Sequence, residues 1–106
     1  MLSIVDQECL DLFTNSVRSL YPDAAVWAFG SRVRGEEHKD SDLDICIVLE
    51  EVDWETRRKI SDIAWEIGFE RDRLLSTVVF SKDDFENGPP SASPLVRSIR
   101  DEGVGV

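Results

Sequence analysis

Apolar positions near the start of the chain follow a helical period. Val5, Cys9, Leu12, Phe13, Val17 and Leu20 recur at three- and four-residue steps, which predicts an amphipathic helix over residues 4–20. Ser3 can cap it, and Tyr21-Pro22-Asp23 ends it. The run from Ala24 to Phe29 is short and wholly apolar, the pattern of a buried strand, and it stops at Gly30. Residues 31–41 are polar and charged and read as a loop with one helical turn. From Asp42 to Leu49 the pattern alternates: Asp42, Asp44, Cys46 and Val48 fall on one face of a strand, and Leu43, Ile45, Ile47 and Leu49 on the other.

Asp53 is placed to cap a helix running to Phe69, with Ile60, Ile63, Ala64 and Ile67 as its core stripe. Leu74 to Phe80 reads as a third strand. Ser81-Lys82-Asp83-Asp84 resembles a capping box that opens a short helical turn. Residues 87–93 are a loop, and Ser93-Pro94 starts a last helix that Gly103 stops. The order α-β-β-α-β-α predicts an α/β or α+β architecture, a small mixed sheet with helices packed on it.

A chain of 106 residues is expected to form one domain over residues 1–106. Acidic residues outnumber basic ones 22 to 12, a net charge of -10. That balance argues against a nucleic-acid-binding surface, which needs clustered Lys and Arg. No apolar run approaches the roughly 18 residues that read as a membrane span, and the acidic N-terminus does not resemble a signal peptide. Cys9 and Cys46 are too few and too far apart for a disulfide framework or a zinc site, so a reducing cytoplasm is expected.

The chemistry lies between the first two strands. Gly30 lacks a Cβ, so a ligand can approach the backbone there, and the following N–H groups and the Ser31 hydroxyl can cradle a phosphate. Arg32 and Arg34 add positive charge beside that turn. Substitution of Gly30, read as part of a surface turn, is expected to act on the ligand and little on stability. Asp42 and Asp44 share a strand face, about 6.5–7 Å apart along it, and can converge on a hard divalent cation such as Mg2+. A phosphate cradle beside such a pair is the equipment of phosphoryl or nucleotidyl transfer. Asp is disfavoured in strands, so two on one face call for a reason beyond solvation.

The stretch GSRVRGEEHKDSDLDI resembles the GS(x)xRG…SDxDL motif of the minimal nucleotidyltransferases of the DNA polymerase β-like superfamily. Gly30, Ser31, Arg34, Gly35, Ser41, Asp42 and Asp44 match, with Ile45 for the usual Leu. At roughly one in twenty per position, seven chance matches are on the order of one in 10^9. The resemblance continues through Ser81-Lys82-Asp83-Asp84-Phe85 and the ending Ser93-Pro94-Leu95…Ile99-Arg100-Asp101-Glu102-Gly103.

The resemblance implies a polymerase β-like nucleotidyltransferase fold. Gly30, Ser31, Arg34 and Ser41 would bind the nucleotide, most often ATP; Asp42 and Asp44 would bind Mg2+ and carry catalysis. An acceptor hydroxyl would attack the α-phosphorus and pyrophosphate would leave. The family's third carboxylate belongs on the next strand, where this chain has Leu74 and Ser76; Asp72, at the strand's leading edge, is the candidate replacement. Stand-alone minimal forms commonly pair with an all-helical HEPN ribonuclease toxin. The implied function is an antitoxin that transfers AMP to a side chain of that toxin. The alternatives are a weakly active antitoxin that works by binding, and transfer to a small molecule or an RNA end. His38 is a weaker candidate for contacting phosphate. Trp54 and Trp65, eleven residues apart, lie within about 20° of each other on a helix and suit either internal packing or a partner interface.

Overall fold

The computed structural model describes residues 2–35 and 42–106. Ser41 and His38 lie outside the described residues. Helix α1 spans Ile4–Leu20, strand β1 Ala25–Phe29, the short helix α2 Ser31–Arg34 and strand β2 Leu43–Leu49. They are followed by α3 over Trp54–Arg71, β3 over Leu75–Ser81, α4 over Lys82–Glu86, a 3₁₀ turn at Pro89–Ala92, α5 over Pro94–Glu102 and β4 over Val104–Gly105. The strands form a mixed sheet in the order β3-β2-β1-β4. β1 runs antiparallel to β2 and to β4, and β2 runs parallel to β3.

Every N-cap expected from the sequence is made. Ser3, Asp53, Ser81 and Ser93 accept from the backbone N–H groups of Asp6, Thr56, Asp84 and Val96, at 3.1, 2.8, 3.1 and 3.2 Å. Each satisfies an N–H that the first turn leaves without a helical partner.

The alternation in β2 divides the interior in two. Leu43, Ile45, Ile47 and Leu49 pack under α1 and α3 with Phe13, Val17, Ile60 and Ala64. Cys46 and Val48 pack on the other face with Phe29, Phe85, Val96 and Ile99. Trp27 stacks on Phe85 with centroids 5.4 Å apart, and Arg100 lies over the Phe85 ring, which fastens α4 and α5 to this second face. Asp44 belongs to the same face by strand parity.

Two expectations need correction. The buried stripe of α1 is Asp6, Cys9, Leu10, Phe13, Thr14 and Val17, whereas Val5, Leu12 and Leu20 are exposed. The inward face of the helix carries Asp6, which meets two arginines described below. Strand β4 was not foreseen; two residues carry no readable period. It is held by pairing with Trp27 and Ala28 and by a 2.7 Å hydrogen bond from Arg18 Nη2 to the Val106 carbonyl. The α3 stripe is as expected at Ile60 and Ala64, with Ile63 and Ile67 half-buried.

Candidate functional site

Strand β1 ends at Phe29, which pairs with Asp44 of β2. The chain then reverses through Gly30, at φ 84 and ψ -163, into α2. That conformation is open essentially to glycine alone. A Cβ at Gly30 would collide with the Asp44 carboxylate. Gly30 is therefore buried against Asp44, and the expectation of a surface turn with little bearing on stability is corrected. Gly30→Val should abolish ligand binding and also lower the thermal midpoint by roughly 10 °C or more, given strain of about 1–3 kcal/mol from the backbone and more from the collision. A variant melting within 2 °C of wild type would contradict this close approach.

The half-buried Ser31 opens α2, and Gly35 closes it in the left-handed conformation at φ 76. The two arginines of this turn diverge. Arg34 Nη1 donates to Glu102 Oε2 of α5 at 3.0 Å, and its charge also acts on Asp44. Arg32 also turns toward α1. Its side chain is 10% exposed and its Nη1 reaches Asp6 Oδ2 in α1 at 2.9 Å. Asp6, 1% exposed, also receives Arg73 Nε on its other oxygen at 3.3 Å. One buried carboxylate thus ties α2 and the turn before β3 to α1. Sequence reasoning missed this bridge, although an acid on an apolar helical stripe was the available sign of it.

Asp42 immediately precedes β2 and Asp44 lies within it, both half-buried. The Asp44 carboxyl is pushed above its ordinary range, first by burial, then by the negative charge of Asp42, with Arg34 opposing. The ionised form therefore weighs against the apo fold at neutral pH. That penalty fades as pH falls through the raised folded-state value and is gone below the unfolded-state value. Asp44→Asn is accordingly expected to raise the melting temperature of metal-free protein at pH 7. The difference from wild type should close on acidification to about pH 3. Equal melting at pH 7 would remove the charge conflict. A hard cation relieves the same conflict, so the pair fits Mg2+ in its donor chemistry.

The third position is resolved by register. Ser76 of β3 is paired with Asp44 in the parallel ladder, so a hydroxyl stands on the Asp44 face. Leu74 lies just before the strand and is exposed. Asp72 caps the C-terminus of α3 in the left-handed conformation, with its N–H on the Gly68 carbonyl. It lines a cleft with Trp65, Phe69, Leu75 and Thr77, on the α3 side of the sheet. The charges that act on Asp44 are those of Asp42 and Arg34. The structure brings Gly30, Ser31, Arg34, Asp42 and Asp44 together, and Asp72 lines the α3-side cleft.

Cys46 shares the Asp44 face deeper in the interior, where burial pushes its thiol up to about 12. It is a packing residue. No helix among the described residues is long and apolar enough to cross a membrane.

A family model described as a nucleotidyltransferase domain matches residues 10–104. Over 70 residues the chain is 39% identical to a Haemophilus influenzae protein named "Probable protein adenylyltransferase MntA". That alignment takes in 59% of this chain and 61% of the relative, so the chain spans less than two thirds of the relative's length. The fold is similar to a crystal structure of a toxin–antitoxin with AMP-PNP, with a TM-score of 0.63 and 20% identity over 90% of this chain and 69% of the other. It is also similar to a mutant of the toxin–antitoxin MntA-HpeT, at 0.61 and 17% over 94% and 70%.

Proposed function

The chain belongs to the nucleotidyltransferase domain family, and from that premise we propose that it is the antitoxin of a toxin–antitoxin pair, transferring AMP from ATP to a side chain of the toxin with Mg2+ as cofactor. The observation that carries this reading is the Gly30-Ser31 turn closed directly onto Asp44, with Asp42 beside it. The relative named as a protein adenylyltransferase and the neighbour crystallised with AMP-PNP point to the same nucleotide chemistry.

The Gly30-Ser31 backbone and the Ser31 hydroxyl receive the phosphates of the nucleotide. Ser41 joins them by its place in the motif. Arg34 adds positive charge beside Asp44. Asp42 and Asp44 would hold the cation, which would supply charge neutralisation for the phosphates. The acceptor hydroxyl oxygen bonds to the α-phosphorus as its proton passes to water, the bond to the bridging oxygen breaks, and pyrophosphate departs. Positioning and electrostatic stabilisation supply the acceleration in such a reaction.

Ser76 favours a second reading. Its hydroxyl is no base at neutral pH, so β3 offers no carboxylate for the proton of the attacking hydroxyl. An antitoxin that binds nucleotide and toxin but transfers slowly would look like this. Restoring the acid with Ser76→Asp is expected to raise the transfer rate roughly 10²–10⁴-fold. An unchanged rate would show that the acceptor protein supplies the proton's destination.

The test of the proposal is incubation with the toxin and ATP labelled at the α-phosphate. Label on the toxin together with released pyrophosphate supports transfer. A toxin silenced without label, equally by an Asp42→Asn/Asp44→Asn protein, supports the binding-only reading instead.

A further inference from the structure

Helix α3 carries apolar surface that this fold does not cover. Trp54, Trp65, Phe69 and Leu74 are 72, 69, 79 and 58% exposed. A single exposed aromatic is ordinary, but Trp65, Phe69 and Leu74 line one recess. Trp65 and Phe69 are one turn apart with ring centroids separated by 6.3 Å. They form one wall of a cleft of about 450 Å³, whose other wall is Leu74, Leu75 and Thr77 of the β3 edge. β3 is the outermost strand on that side. The floor exists because Gly68 has no side chain; a Cβ there would strike the Arg73 carbonyl.

The rim fixes the chemistry of the occupant. Asp62, Glu66 and Glu70 border the same two rings on the outer side. They repeat every four residues, a stripe of charge about 12 Å long running parallel to the aromatic one. Among the described residues none of these three carboxylates has an ion-pair partner. The cations around them are engaged elsewhere. Arg58 lies over Trp54, Lys59 pairs with Glu55, Arg71 with Glu8, and Arg73 with Asp6. An apolar stripe beside an unpaired acidic stripe at helical spacing is the complement of a helix with apolar anchors flanked by Lys or Arg. A second copy of this chain would bring like charges together, on top of a net charge of -10 each. An anionic membrane surface would be repelled in the same way.

We propose that the exposed face of α3, with the Trp65–Phe69 cleft at its centre, is the docking site for a basic amphipathic helix of a partner protein. The face lies on the opposite side of the sheet from Asp44, so partner and nucleotide can be bound together. The inference stands on α3 and does not depend on nucleotide chemistry.

The probe is a synthetic helical peptide of Leu and Lys with an i, i+3, i+4 apolar stripe, compared with the same peptide carrying Glu for every Lys. Binding is followed by calorimetry and by amide shifts. The Lys peptide is expected to bind, with shifts concentrated between residues 61 and 77 and affinity falling with salt; the Glu peptide is expected not to bind. Trp65→Ala/Phe69→Ala should weaken the Lys peptide roughly tenfold or more, the effect of removing central aromatic anchors, and leave Mg-ATP binding unchanged. Glu50→Gln/Glu51→Gln, in a separate acidic cleft on the chain, should change nothing. Four results would overturn the proposal: equal affinity of the double-alanine variant, equal binding of the Glu peptide, shifts centred on the Glu50 cleft, or a dimer of the chain alone that Trp65→Ala disperses.

Discussion

Asp6→Ala is expected to cost the fold about 3–5 kcal/mol, because it breaks a buried ion pair between α1 and α2. A domain of about this size has only about 5–15 kcal/mol in all. The melting temperature should drop by more than about 12 °C. Arg73, a third exposed, can turn to water and contributes less. The consequence reaches the site, since Arg32 ties α2 to α1, and α2 carries Ser31. Asp6→Asn should therefore weaken nucleotide binding even where the protein remains folded. Removing both charges separates the causes: Asp6→Leu with Arg32→Met should recover most of the stability, because apolar residues of similar volume replace a buried ion pair at little cost. Denaturant melts of the single and double variants decide it. An Asp6→Ala protein that melts within 2 °C of wild type would show that the bridge does not hold α2 to α1.

The second large effect is on transfer. Asp42→Asn/Asp44→Asn should reduce Mg2+-dependent AMP transfer at least 10³-fold, because both cation-holding carboxylates are lost while shape is kept. The same variant should melt higher than wild type without metal, since relief of the Asp44 burial penalty and of repulsion from Asp42 favours the fold. Loss of activity with a gain in apo stability cannot be ascribed to unfolding. Lower stability in the variant would mean that the two carboxylates serve the fold.

The division between what the chain announced and what it concealed follows from range. Caps are local, and Ser3, Asp53, Ser81 and Ser93 were each readable within four residues. The alternation of β2 placed Asp44 with Cys46 and Val48 because the strand period is two and both faces are packed. The motif residues were legible for the same reason, as they come from one turn and the strand that pairs with it. What depended on distant partners was not. The bridge at Asp6 was not legible because its partners, Arg32 and Arg73, are 26 and 67 residues away. Gly30 looked like a surface turn because its neighbour Asp44 arrives only through antiparallel pairing. Ser76 could be placed opposite Asp44 only once the parallel register was known. Trp54 and Trp65 had two readings, packing or interface, and their exposure removes the first.

Titration of ATP into the protein by calorimetry, with Mg2+ and again with EDTA, tests the central claim most directly. Wild type should bind one ATP only in the presence of the cation, with affinity falling on acidification through the Asp44 titration, and the Asp42→Asn/Asp44→Asn protein should show no heat under either condition. Binding that persists in EDTA, or in the double variant with unchanged affinity, would contradict a nucleotide site built on Gly30, Ser31, Asp42 and Asp44.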